Sequence, residues 1–300
     1  MSFNRNKLKG TGVAIVTPFQ QDGSVDYKSL SRLIEHLIKG KVEYLVALGT
    51  TGESVTLNKS EKAAIVAHVV KQAKGRVPVI MGLGGNNTGE IVSALRGGAN
   101  FNGVDAILSV SPYYSKPSQR GIYQHYKVIG ELSPVPVILY NVPGRTSSNI
   151  AAETTLQLAN DVKNIIGIKE ASANLEQQHM KLIKGRPKDF LVISGDDALT
   201  LPVVACGGDG VISVVANAYP KDFSEMTRLA LAGKFDAARR LHYKLTDIIE
   251  QLFADGNPAG IKAVLKMMSI CETNVRLPLV DVNDQVQAKL SKLVKGYRKG

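Results

Sequence analysis

An apolar run at residues 165–170, with the sequence IIGIKE, carries a lysine near its end. A charged ammonium group is unfavourable in apolar surroundings unless it is paired. Burial favours the neutral amine, which is a nucleophile for carbonyl carbon. The alternative is a lysine whose stem reaches to the rim and whose charge stays in water. Because the run is apolar and Lys169 stands at its carboxyl end, we favour the nucleophile.

A tyrosine and an arginine share the segment LYNVPGRT at residues 139–146. The Tyr140 phenol can carry a proton, and the Arg145 guanidinium can grip a carboxylate in a bidentate manner. An arginine in a surface ion pair is the alternative, and the residues alone leave both interpretations open.

Two further segments bring hydroxyl groups to the ends of apolar runs. Thr50 and Thr51 lie in GTTGES at residues 49–54, where they can bind substrate. The alternative is a tight turn in which one of the two threonines caps the next element. Tyr114 ends the segment SPYY, and taken alone it is better explained by packing than by proton transfer. Together with Lys169, these groups suit imine chemistry on an anionic keto acid.

Other motifs point to no metal and no cofactor. Asp196 and Asp197 follow an apolar run and are predicted to cap the next helix. The glycines at residues 82–85 do not form a dinucleotide fingerprint, and the five histidines show no His-Glu-x-x-His spacing. A metal-dependent aldolase is therefore disfavoured.

The elements that must position these residues form a repeat. Eight short apolar runs alternate with stretches of helical periodicity such as Tyr27–Lys39. Continuous apolar runs are typical of strands buried on both faces, as in a parallel sheet covered by helices. Eight units predict a (β/α)8 TIM barrel of the α/β class, with chemistry at the carboxyl ends of its strands. The predicted strands are Gly12–Phe19, Tyr44–Gly49, Pro78–Gly84, Asp105–Pro112, Pro136–Val142, Ile165–Glu170, Phe190–Gly195 and Gly210–Val215.

A doubly wound open sheet is the runner-up, but it usually has a glycine-rich turn after its first strand. The strand signal stops near Lys234, and three amphipathic segments follow at Phe235–Phe253, Pro258–Met268 and Val286–Val294. We therefore predict a barrel at residues 1–233 and a C-terminal helical region at residues 234–300.

Composition fits a globular protein of 300 residues, 44% of them hydrophobic. The net charge of +11 is spread along the chain, so we expect solvated surface charge rather than nucleic-acid binding. The first ten residues lack the apolar stretch of a signal peptide, and no run is long enough for a membrane helix. Two isolated cysteines suggest reduced thiols. A cytoplasmic protein without membrane partners is expected.

The segments GTTGES, YNVPGRT and GIKE, in this order and spacing, resemble the dihydrodipicolinate synthase / N-acetylneuraminate lyase family over essentially the whole chain. The resemblance implies a class I aldolase-type lyase, usually a homotetramer of tight dimers. It implies that Lys169 forms a Schiff base with pyruvate and that Tyr140 shuttles protons through Thr51 and through Tyr114 of a neighbouring subunit. By the same resemblance Thr50 and Thr51 hold the pyruvate carboxylate. Gly195 and Ile212 would offer backbone carbonyls near the amine.

Arg145 favours one branch of this family. The synthase branch has Gly-Arg-Thr at this place, which implies L-aspartate 4-semialdehyde as second substrate, its carboxylate gripped by Arg145. The reaction would be the first committed step of the diaminopimelate route to lysine. The alternatives are a sialate or 2-keto-3-deoxy sugar acid lyase that uses the same lysine, and a non-catalytic barrel that senses a keto acid.

An effector site is also implied by the resemblance. Ser54, Asn86 and Glu90 resemble contacts for L-lysine in inhibited relatives, but Lys59 and Lys62 stand where those relatives carry imidazoles. Two cations facing a cationic effector repel it. Weak or absent inhibition by L-lysine is therefore predicted.

Overall fold

The chain forms a closed eight-stranded parallel barrel. A computed structural model describes residues 4–297, apart from the side chains at positions 98 and 177–179. Neighbouring strands pair in chain order, and β8 pairs with β1 to close the sheet. This confirms the predicted barrel and excludes the open sheet. The strands are β1 Gly10–Ala14, β2 Tyr44–Ala47, β3 Val79–Gly82, β4 Ala106–Val110, β5 Val137–Asn141, β6 Ile165–Glu170, β7 Leu191–Ser194 and β8 Gly210–Ser213.

Helices cover the outside of the barrel and fill the C-terminal region. They are α1 Tyr27–Lys39, α2 Lys59–Ala73, α3 Thr88–Ser93, α4 Gln119–Leu132, α5 Pro143–Thr146, α6 Ala152–Asp161, α7 Lys181–Gly185, α8 Thr200–Ala205, α9 Pro220–Leu231, α10 Phe235–Phe253, α11 Ala259–Met267 and α12 Asp284–Tyr297. Short 3-10 helices lie at Arg5–Leu8, Ser54–Thr56 and Val215–Asn217, and π-helical turns at Ala94–Gly98 and Leu175–Met180. Local sequence explains several starts: Asn58 and Glu61 form a capping box at α2.

Two apolar layers hold the structure together. The inner layer fills the barrel with strand side chains such as Val46, Ile80, Ile138 and Ile212. The larger outer layer packs the opposite strand faces against the surrounding helices. Strands buried on both faces explain the continuous apolar runs of the sequence.

The first strand differs from its predicted range. It begins at Gly10 and ends at Ala14, whereas the apolar run continues to Phe19. Beyond Ala14 the chain turns out of the sheet, and the Val16 N–H donates to the Asn217 side chain at 3.2 Å. Pro18 also lacks an N–H for strand pairing. By contrast, α1, β6 and α10 have their predicted bounds.

The C-terminal helices α10, α11 and α12 pack on one another, and α10 also packs on α9. A helical C-terminal appendage is thus confirmed, while the division of the chain between residues 233 and 234 stays a prediction. No helix within residues 4–297 is both long enough and apolar enough to cross a bilayer.

Candidate active site

Lys169 and Tyr140 meet inside the barrel. They are register partners on β6 and β5. The Lys169 Nζ lies 4.3 Å from the centroid of the Tyr140 ring. Lys169 is only 6% exposed, and no described residue forms an ion pair or hydrogen bond with its Nζ. The amine is therefore buried beside a phenol, and no described carboxylate lies against it as a counter-ion.

A β-bulge in β6 turns Lys169 towards the barrel interior. Val137 pairs with Ile165, but the next residue of β5, Ile138, pairs with Gly167, so Ile166 is an extra residue. Side chains of a regular strand alternate between its two faces. Ile165 packs in the outer layer, and strict alternation would place Lys169 on that same face. The extra residue reverses the alternation and points the lysine at Tyr140, a re-aiming that bulges commonly produce.

Gly195 and Ile212 also border the space around Lys169 and Tyr140 inside the barrel, which we call the chamber. A Cβ at Gly195 would lie 3.0 Å from the Lys169 Cε and 2.5 Å from the Ala171 Cβ. Only glycine therefore leaves room for the lysine stem next to β7. Ile212 is buried in the inner layer together with Tyr140.

Arg145 stands on the one-turn helix α5, directly after β5. It is exposed, and its guanidinium has no carboxylate or other hydrogen-bond partner among the side chains that the structure describes. The surface ion pair considered from the sequence is thus absent from the described part of the chain. The free guanidinium at the rim of the barrel can bind an incoming carboxylate.

A buried amide–carboxylate pair fixes the strand ends beneath Arg145. Asn141 Nδ2 donates to both carboxylate oxygens of Glu170, at 3.1 and 3.0 Å. Asn141 Oδ1 accepts from the Ile150 N–H at 2.9 Å and so holds the far end of the Arg145 loop. Burial raises the pKa of Glu170, while these and neighbouring hydrogen bonds oppose the rise. Sequence reasoning passed over both residues, although they directly follow Tyr140 and Lys169.

Thr50 and Thr51 follow β2 at the same end of the barrel. Thr51 is 2% exposed, and its Oγ1 accepts a hydrogen bond from Asn257 Nδ2 at 3.0 Å. Neither threonine caps the 3-10 helix Ser54–Thr56, whose N-cap is Glu53 without a side-chain bond. The capping alternative is therefore wrong, and both hydroxyls lie in the strand-2 loop, which we define as residues 48–56.

Tyr114 is not part of the buried cluster of its own chain. It is 88% exposed and has a positive φ of 72°. The packing role favoured from the isolated motif is not what the structure shows, because the ring contacts little of this chain. Its phenol is free to meet another molecule.

The aspartates after β7 do not cap α8, which begins without a side-chain cap. Asp196 accepts from the Ala198 N–H at 2.8 Å. The buried Asp197 carboxylate instead accepts from Val214 and Val215 at 3.0 and 2.8 Å, tying β7 to the segment after β8. Burial raises its pKa to about 6. Within the described residues, no group of three or more His, Cys, Asp or Glu side chains could hold a metal ion.

Comparisons with known proteins decide the family. The model of the dihydrodipicolinate synthetase family matches residues 7–297. The chain belongs to this family. The 4-hydroxy-tetrahydrodipicolinate synthase of Flavobacterium psychrophilum is 54% identical over 290 residues, covering 97% of this chain and 98% of that protein.

Solved structures of family members superpose closely. Dihydrodipicolinate synthase from Aquifex aeolicus has a TM-score of 0.93 at 40% identity, with 97% of this chain and 98% of that chain covered. A chloride-inhibited dihydrodipicolinate synthase from Acinetobacter baumannii in complex with pyruvate has a TM-score of 0.93 at 39% identity, covering 97% and 99%.

The positions that resemble the family's effector contacts lie in the strand-2 loop and beyond β3. Ser54 begins a 3-10 helix, and Asn86 donates to the Tyr113 carbonyl at 3.3 Å beside Tyr114. Glu90 is exposed on α3, where its Oε1 accepts from Asn87 Nδ2 at 3.2 Å. The two lysines that replace imidazoles lie on α2, Lys59 exposed and Lys62 half-buried.

A buried ion pair behind the strand-2 loop also escaped sequence reasoning. Glu53 Oε1 and Lys262 Nζ lie 2.5 Å apart, and both side chains are fully buried. The Arg276 N–H donates to the second oxygen of Glu53 at 3.0 Å. The only sequence signal was a glutamate inside the GTTGES segment, because its partners lie more than 200 residues away.

Proposed function

We propose that this chain condenses pyruvate with L-aspartate 4-semialdehyde to 4-hydroxy-tetrahydrodipicolinate, through a Schiff base on Lys169. The proposal is carried by the buried Lys169 amine, which has no partner among the described residues and lies 4.3 Å from the centroid of the Tyr140 ring, in a chain of the dihydrodipicolinate synthetase family. The relatives that bear the synthase name support the choice of reaction. The enzyme would be a lyase of lysine biosynthesis by the diaminopimelate route.

The first half of the reaction is imine chemistry. The Lys169 nitrogen attacks the keto carbon of pyruvate, and loss of water gives the imine. The protonated imine then draws electrons from the methyl group, which loses a proton and leaves an enamine. Tyr140 stands beside the amine and would carry these protons, with Thr51 and a Tyr114 phenol continuing the path. Thr50 and Thr51 would hold the pyruvate carboxylate, and the carbonyls of Gly195 and Ile212 would face the amine.

The second half joins the two substrates. The enamine carbon attacks the aldehyde carbon of the semialdehyde, and the aldehyde oxygen takes a proton and becomes the hydroxyl group. The substrate's own amine then attacks the imine carbon, closes the ring and releases Lys169. The unpaired Arg145 guanidinium would hold the semialdehyde carboxylate during both steps. This feature favours the synthase over a lyase of sugar acids, whose substrates present hydroxyls.

The exposed Tyr114 supports a multimeric enzyme. A phenol that is 88% exposed contributes to a site only if something covers it. We propose that a second copy of the chain does so within a homotetramer of tight dimers. We place the enzyme in the cytoplasm, where its two free cysteines, Cys206 and Cys271, would stay reduced.

Reductive trapping tests the proposal. The protein is incubated with pyruvate, reduced with borohydride and analysed by peptide mass spectrometry. We expect an adduct on Lys169 and none on Lys262, a second buried lysine that is paired with Glu53 and serves as internal control. Lys169→Ala should abolish the adduct. A protein that binds pyruvate without any adduct would be a keto-acid sensor.

A substrate panel then identifies the electrophile. L-aspartate 4-semialdehyde should be consumed with pyruvate at a rate that sugar aldehydes and N-acetylmannosamine do not approach. Faster turnover of a sugar aldehyde would replace the synthase with the sugar-acid lyase.

A further inference from the structure

The C-terminal region reaches into the proposed site through Asn257. Its Nδ2 donates to the Thr51 Oγ1 at 3.0 Å, and this contact joins residues 206 positions apart. Thr51 is 2% and Asn257 8% exposed, so water does not compete for the bond. Asn257 lies in the short connection between α10 and α11.

The direction of this hydrogen bond constrains the Thr51 hydroxyl. A hydroxyl has one hydrogen to donate and two lone pairs that accept. Because the Asn257 amide occupies a lone pair, the hydrogen of Thr51 remains available for a different acceptor. If Asn257 were turned over, its oxygen would consume that hydrogen and its NH2 group would lose the acceptor it now has.

A second observation bears on the same amide. The Asn257 Oδ1 is buried and has no hydrogen-bond partner among the described residues. An unpaired buried acceptor is unfavourable, so a native structure that keeps one needs a reason. A requirement for an N–H donor facing Thr51 supplies that reason.

Two polar contacts hold the segments that carry Asn257 and Thr51 against each other. Lys262, five residues after Asn257, forms the fully buried ion pair with Glu53, two residues after Thr51. The Arg276 guanidinium donates to the Thr56 carbonyl at 2.9 Å. The strand-2 loop is therefore fastened to the C-terminal region at two further points, both just after Thr51 in the chain.

We propose that Asn257 is a positioning residue that orients the Thr51 hydroxyl as a hydrogen-bond donor towards Tyr140 and the bound substrate. This inference rests on the proposed function, in which Thr51 relays protons. It makes the C-terminal helical region part of the proton path rather than only a packing appendage.

Asn257→Asp tests the direction of the bond with almost no change of shape. The introduced carboxyl group, when protonated, can donate to Thr51 as the amide does, whereas its ionised form can only accept and would consume the Thr51 hydrogen. The kcat of this variant should therefore fall by about tenfold or more as pH rises through the titration of the new carboxyl, since positioned proton transfer is worth at least that much. Wild type should lack this fall. Asn257→Ala should have a low kcat at every pH and should not show the additional fall in kcat with rising pH.

Asn274→Ala is the matched control. Asn274 belongs to the same C-terminal region and donates its side chain to the Phe19 carbonyl at 3.0 Å, but it does not touch Thr51. This variant should lose stability while keeping the wild-type pH profile. A double-mutant cycle tests the role without the aspartate variant, in case that variant folds poorly. In a Thr51→Val background, Asn257→Ala should cause no further loss of kcat.

The outcomes distinguish a failure of the proposed function from a failure of the positioning role. If the wild-type enzyme gives no pyruvate adduct on Lys169, the proposed function fails. If wild type reacts normally but Asn257→Asp follows its pH profile and the double-mutant effects simply add, the positioning role of Asn257 is refuted.

Discussion

The buried Glu53–Lys262 pair predicts a large loss of stability when one partner is removed. The Lys262 Nζ lies 2.5 Å from Glu53 Oε1, and it also donates to the Asn274 carbonyl at 2.7 Å. Lys262→Met keeps the unbranched stem of the side chain, one atom shorter, but leaves the Glu53 carboxylate buried without its counter-charge. Breaking a buried pair in this way costs about 3–5 kcal/mol. Removing both charges with Glu53→Gln and Lys262→Met should restore much of that loss.

Thermal unfolding at fixed protein concentration measures the effect. For 300 residues, an unfolding entropy of about 2.1 cal/mol/K per residue converts 3–5 kcal/mol into a fall in Tm of about 5–8 °C. Lys266→Met on the same helix is the control, because its partner is the exposed Glu272 at 2.9 Å and little change is expected. A Lys262→Met variant that melts with wild type, or a double variant that melts as low as Lys262→Met, would refute the reasoning.

Three further predictions concern substrate, pH and effector. Arg145→Ala should raise the KM for L-aspartate 4-semialdehyde about 10- to 100-fold, the value of a charge-assisted hydrogen bond, while borohydride trapping of pyruvate proceeds at the wild-type rate. Because burial raises the pKa of Asp197 to about 6 from its ordinary 3.8, its contribution to stability is present below pH 3.8 and is lost as pH rises through 6. Denaturant titrations should show that the free energy of unfolding of wild type falls by roughly 3 kcal/mol between pH 4 and 7 relative to that of Asp197→Asn. The same dependence of this free energy on pH in both proteins would contradict the prediction. Millimolar L-lysine should leave activity nearly unchanged because Lys59 and Lys62 repel it, and clear inhibition in a rate assay would sink the idea.

Patterns of apolar residues in the sequence were enough to predict the bounds of some helices and strands. The period of apolar residues in Tyr27–Lys39 and the continuous run at Ile165–Glu170 predicted α1 and β6 with their observed bounds. The first strand was misplaced because its opening residues, Gly10 and Thr11, carry no apolar signal. Its apolar continuation leaves the sheet to meet Asn217, a residue about 200 positions away.

The residues of the candidate site also differ in whether local sequence marks them. Lys169, Tyr140 and Arg145 were visible as reactive residues that follow apolar runs, where a barrel gathers its chemistry. Asn257 and Lys262 were not, because each acts through one long-range contact with the strand-2 loop and no local pattern marks it. The exposure of Tyr114 in the single chain could not be predicted either, because two adjacent tyrosines are equally compatible with a packed pair.

The bulge in β6 shows why the position of Lys169 at a strand end could be predicted, whereas the direction of its side chain could not. Position at the end of a strand is a property of the sequence, but the face on which a side chain emerges depends on register. The extra residue Ile166 places Lys169 inside the barrel and leaves Glu170 outside, opposite Asn141. Because of this extra residue, two adjacent side chains point in different directions. Lys169 lies beside Tyr140 inside the barrel, and Glu170 binds the Asn141 amide that fixes the Arg145 loop. A regular β6 would instead place the Lys169 side chain in the outer layer with Ile165, away from Tyr140.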